Sequence, residues 1–86
     1  MKRGWVSSSA YQAAVTLLVE ARKSYGLTQR ELAARLGKPP SFVAKIEVGE
    51  RRVDVVEFIA ISRAIGVPDD GLLADLAATL PGDLSI

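Results

Sequence analysis

Stop signals at Gly26, Gly37, Gly49, Gly66 and Pro81-Gly82 cut this chain into short pieces, and this constrains its fold more than any other feature. Each of the first four stops is followed within a few residues by a helix-starting signal: Thr28, Pro39-Pro40, Asp54 or Pro68. Within the pieces, apolar residues recur three or four positions apart, as on one face of a helix, and none shows the alternation of a strand. Helices this short melt when isolated in water, so they must pack on one another. A chain of 86 residues has room for one core and no second. The expected architecture is all-α, a compact bundle of five short helices in a single domain over residues 1–86.

The first helix is expected from roughly Ser9 to Tyr25, with Gln12 closing a capping box on Ser9 and with Tyr11, Ala14, Leu18, Ala21 and Tyr25 facing inward. Thr28-Gln29-Arg30-Glu31 is a second capping box, opening a helix that buries Leu32, Ala33 and Leu36 before Gly37. Pro39-Pro40 enforces an extended link, after which Ser41 to Val48 forms a third helix with Val43 and Ile46 inward. Asp54 and Glu57 cap a fourth, which runs to Ile65 and buries Phe58, Ile59, Ile61 and Ile65. Pro68-Asp69-Asp70 opens a fifth with Leu72, Leu73, Leu76 and Leu80 in one stripe, followed by a tail carrying Leu84 and Ile86.

Cysteine and histidine are both absent, which removes disulfides, thiolate metal sites, the commonest general base and the cysteine nucleophile together. No acid pair and no nucleophile with a base is discernible, so the chain reads as a binding protein rather than an enzyme, with no cofactor and no metal. The longest apolar stretches, Ala13 to Val19 and Val55 to Val67, contain Thr16, or Glu57 and Arg63, and fall short of the ~18 apolar residues of a membrane span. Lys2 and Arg3 precede no cleavage site, so the expected location is the cytoplasm, at the nucleoid.

A net charge of +1 conceals a polar layout. Residues 1–19 hold two bases and no acid, residues 20–52 eight bases and four acids, and residues 53–86 one base against six acids. One end would be drawn to a polyanion and the other repelled, orienting a dock as well as strengthening it. A mixed solvated surface accounts for the same counts.

The most informative stretch is Gln29 to Val48, two short helices joined by a tight turn. In such a corner Ala33 must be small where the second helix crosses, Gly37 must permit the turn, and Leu32, Leu36, Val43 and Ile46 must fill the angle. That geometry presents Pro40, Ser41, Phe42 and Lys45 at the tip of the domain, on a helix whose girth suits a major groove roughly 12 Å wide.

The segment LTQRELAARLGKPPSFVAKIEVGERRVDVVEFIAISRAIG, Leu27 to Gly66, resembles the helix-turn-helix domain of phage Cro and C1 repressors, the XRE-like regulators. The likeness is carried by the L-T-Q-x-E-L-A start, the Gly37 turn, Ile46-Glu47 followed by Gly49 and a basic residue, and the closing Ala64-Ile65-Gly66. It implies a lambda repressor-like fold of four or five helices, with the motif at about 28–49, that binds operator DNA as a homodimer.

By this resemblance, Gln29 bonds a backbone phosphate and braces the recognition helix, with Thr28 and Arg30 beside it at the positive end of a helix dipole. Pro40, Ser41 and Lys45 match the positions that face base edges: Lys45 can donate to guanine and Ser41 to a base or phosphate, and Pro40 and Phe42 can touch a thymine methyl. The double proline departs from the polar residues of many relatives, shifting specificity toward DNA shape. Phe42 is expected to turn outward. Glu47 is expected to tie the recognition helix to the following loop or to a basic neighbour. Arg51 and Arg52 match positions that touch phosphate, and Lys38 in the turn is a further candidate. Lys2 and Arg3 are weaker candidates as a tail reaching DNA, and Arg22 and Lys23 are expected on the outer face of the first helix.

The leucine surplus at residues 68–86 exceeds what one small core needs, marking that end for dimerisation. The reading is therefore a sequence-specific double-stranded DNA-binding regulator, a repressor acting by occlusion since little chain is left over for an effector domain, on a palindromic site, alone or beside another DNA-binding protein. The alternative is a protein-interaction module, antitoxin-like or accessory, supported by the acidic, leucine-rich last third.

Overall fold

A computed structural model of the chain describes residues 8–68 and 70–84. The expectations for Lys2, Arg3, Asp69 and Ile86 lie outside these residues. Five helices follow in order: α1 (Ser9–Ser24), α2 (Gln29–Leu36), α3 (Pro40–Glu47), α4 (Val55–Ile65) and α5 (Gly71–Thr79), with no strand among the described residues.

Local chemistry sets most of the boundaries. The Thr28 hydroxyl accepts the Glu31 N–H at 3.0 Å while the Glu31 carboxylate accepts the Thr28 N–H at 2.9 Å, and Asp54 and Glu57 repeat this exchange at the start of α4. Gly37 closes α2 in the left-handed region at φ 68°, where a side chain would be strained. Two starts differ from expectation. The cap of α1 is Ser8, whose hydroxyl accepts the Tyr11 N–H at 3.2 Å, so no box joins Ser9 to Gln12. Helix α3 begins at Pro40, one residue before the expected Ser41, because a proline in the first turn gives up an N–H that would have no partner there.

The core gathers Leu18, Leu27, Leu32, Ala33, Val43, Ile46, Phe58, Ile61, Ile65 and Leu72. Ala33 is fully buried in the α2–α3 corner, as its small side chain requires. Three helix faces need correction. On α1 the buried stripe is Val15, Leu18 and Arg22, and Tyr25 at the helix end is 51% exposed. Ile59 on α4 is only half-buried, while Ser62 is buried and donates its hydroxyl to the Phe58 carbonyl at 2.9 Å. On α5, Leu72 enters the core but Leu73 is 50% exposed, since neighbouring helical positions point about 100° apart and cannot share a stripe. No helix among the described residues is long and apolar enough to cross a membrane.

Candidate nucleic-acid interface

The start of α3 is exposed. Val43 and Ile46 face inward and are buried, which leaves Pro40, Ser41 and Lys45 exposed. Ser41 and Lys45, four residues apart, share one side of the helix.

The far end of α3 is held from behind. Arg22 on α1 donates to both oxygens of Glu47, from Nε to Oε2 at 2.7 Å and from Nη2 to Oε1 at 3.0 Å, and gives a third hydrogen bond to the Leu27 carbonyl at 2.7 Å. Gln29 at the start of α2 adds Nε2 to Oε1 at 2.8 Å. One carboxylate thus joins α1, α2 and α3, and a buried pair so fully hydrogen-bonded fixes a single arrangement. The basic partner expected for Glu47 is present, as is the brace expected of Gln29. The placement of Arg22 on an outer face is overturned: the residue lies in register with Val15 and Leu18, so it is buried and requires an acid partner. That register was the signal in the sequence, a base on the apolar stripe of α1.

Thr28, Gln29 and Arg30 gather at the start of α2, with Arg30 exposed. The Glu31 carboxylate, held below its ordinary range by its bond to the Thr28 backbone N–H, already occupies one donor of this helix end.

Phe42 differs from its expected outward aspect. Its ring is half-buried against the core and flanked by cations, with the Arg51 guanidinium 4.6 Å from the ring centroid and the Lys38 ammonium 5.5 Å away. Arg51 also forks onto Glu57, from Nη1 to Oε1 at 3.0 Å and from Nη2 to Oε2 at 2.7 Å. The hydrogen bonds from Arg51 and from the Asp54 backbone N–H push the Glu57 carboxyl down to about 2. The Arg52 guanidinium stacks on Tyr11 at 4.7 Å, and the Tyr11 hydroxyl accepts the Val53 N–H at 3.0 Å. Both loop arginines therefore contact residues of their own chain, which their sequence did not signal.

An apolar groove of about 250 Å³ opens between α1, the start of α4 and α5, walled by Leu18, Phe58, Leu73 and Leu76 with Arg52 and Asp54 beside them. Leu84 in the tail is 45% exposed.

Two short helices at a glycine corner, the second offered to solvent and braced from beneath, define a helix-turn-helix protein. The helix-turn-helix family profile matches residues 18–72. An XRE-family like protein from Pseudomonas syringae pv. tomato str. DC3000 shares 53% identity and a TM-score of 0.79, over 85% of this chain and 89% of that one. The chain belongs to the XRE-like helix-turn-helix family of DNA-binding regulators.

Two further structures share the fold at lower identity. The restriction-modification controller protein C.Esp1396I, a tetramer in complex with its natural 35 base-pair operator, aligns at 19% identity and TM-score 0.76, over 84% of this chain and 95% of that one. The clp gene regulator ClgR from C. glutamicum aligns at 22% and 0.72, over 90% and 100%. No curated protein matches the chain.

Proposed function

We propose that the protein is a sequence-specific double-stranded DNA-binding transcriptional regulator that represses by occupying its operator as a homodimer. The observation that carries this reading is the exposed start of α3, with Pro40, Ser41 and Lys45 facing solvent while Glu47 is gripped from α1 and α2. A helix held this rigidly can enter the major groove with little further loss of conformational freedom. Lys45 and Ser41 then meet base edges, Pro40 meets a thymine methyl, and Thr28, Gln29, Arg30, Lys38 and Arg52 line the phosphates. The complex of C.Esp1396I with its operator supports DNA as the ligand.

The second copy packs, on this reading, at the α5 end, where Leu73 is exposed in the wall of the groove and Leu84 is exposed in the tail. A twofold axis there sets the recognition helices on half-sites roughly 34 Å apart, on a palindrome. The protein acts in the cytoplasm, at the nucleoid. Selection of bound duplexes from a randomised pool, followed by gel retardation, tests the reading: a shared palindromic motif is expected, and no retardation at low salt defeats it. The same groove favours an interaction-only module as the second reading, which requires that null result together with a stable complex with another protein.

A further inference from the structure

We infer that Arg51 is a positioning residue for DNA recognition, acting through the Phe42 ring on the first turn of α3 rather than by neutralising phosphate. This rests on the DNA-binding reading above. Arg51 spends three hydrogen bonds inside the chain: two on the Glu57 carboxylate and one, from Nη1 at 3.0 Å, on the Arg52 carbonyl. Its planar group lies over Phe42, 4.6 Å from the ring centroid. Glu57 is itself fixed, since it accepts the Asp54 N–H at 3.0 Å in the capping box of α4. A continuous series therefore runs from the α4 cap through Glu57 and Arg51 to Phe42, the third residue of α3.

The main chain reinforces this series, as the Arg51 N–H donates to the Lys45 carbonyl at 3.2 Å and holds the loop against the end of α3. Glu47 anchors the last turn of the recognition helix and Phe42 its first, so its tilt is fixed at both ends. Electrostatics points the same way. With Glu57 only 2.7 Å away, the pair has no net charge, and a phosphate gains little from Arg51 unless it displaces that carboxylate. A lysine cannot replace this arginine, because an ammonium neither forks across a carboxylate nor lies flat on a ring.

The test is a salt titration of the full chain on two probes: a duplex that the wild-type protein selects from a randomised pool, and a scrambled duplex of equal length. Arg51→Ala, Glu57→Gln and Phe42→Leu are each expected to weaken the selected duplex by about tenfold, with scrambled-duplex affinity and the slope of log affinity against log salt unchanged. Arg51→Lys is expected not to rescue. The Arg51→Ala, Glu57→Gln double variant is expected to be no worse than either single one. A slope reduced by about 0.9 per bound subunit in Arg51→Ala on both probes, or tighter binding by Glu57→Gln as it frees the guanidinium, overturns the inference. Glu57→Gln retains an acceptor for the α4 cap, so it and Phe42→Leu decide the matter if Arg51→Ala unfolds. Failure of the wild-type protein to retain any duplex defeats the DNA-binding reading itself, an outcome distinct from a slope change in a protein that binds.

Discussion

Arg22 and Glu47 stand 25 positions apart and meet as a two-point ion pair, each side chain only 9% exposed. Removing one partner leaves the other charge buried and unmatched, which costs about 3–5 kcal/mol, a large part of the stability of a small domain. Glu47→Ala and Arg22→Ala should each lower the urea midpoint sharply. Replacing both by apolar residues should recover much of the loss. A double variant that loses the sum of the two single losses would show that the pair is not coupled.

Lys45 is exposed on the recognition helix. Its replacement by alanine should cost about 1–3 kcal/mol of affinity at one base position and relax the preference there. Competition among duplexes varied one base at a time measures this. Uniform weakening across all of them would make Lys45 a phosphate contact.

Gly37 holds φ at 68°, and an added Cβ would meet nothing within 4 Å. The penalty for Gly37→Ala is therefore purely conformational, about 1–2 kcal/mol, and thermal unfolding should register it with DNA preference unaltered.

Acid should weaken the α4 end. The Glu57 carboxyl lies at about 2 in the folded chain against an ordinary 4.5, so its contribution is fully present above pH 4.5 and disappears as pH falls toward 2. Denaturant midpoints through that window should decline more steeply for the wild-type protein than for Glu57→Gln. Parallel declines would contradict this assignment.

Leu72 and Leu73 are neighbours with opposite roles. Leu72→Ala should destabilise the fold by about 2–5 kcal/mol, whereas Leu73→Ser should spare the folded monomer and shift sedimentation toward it. A wild-type protein that sediments as a monomer both alone and on its selected duplex would remove the dimer.

Much of the fold was legible in local chemistry, because the Thr28–Glu31 and Asp54–Glu57 exchanges and the Gly37 turn involve residues within one turn of each other. Val43 and Ile46, and with them the exposed aspect of Ser41 and Lys45, followed from helical spacing alone. Long-range pairing was harder to read. The Arg22–Glu47 bond crosses from α1 to α3, and Arg51 folds back onto Phe42 from a loop without periodicity, so neither partner could be chosen from spacing. Leu73 was assigned to a stripe with Leu72 because leucine content alone does not reveal helix rotation.

The grip on Glu47 comes from side chains behind the recognition helix, and one of them, Arg22, belongs to a helix outside the two-helix corner. Foundation and lettering are thus separate. On the proposed reading, exchanging residues 40, 41 and 45 would change the preferred operator while the scaffold beneath stays intact, whereas the corner transplanted without α1 would lose its keystone.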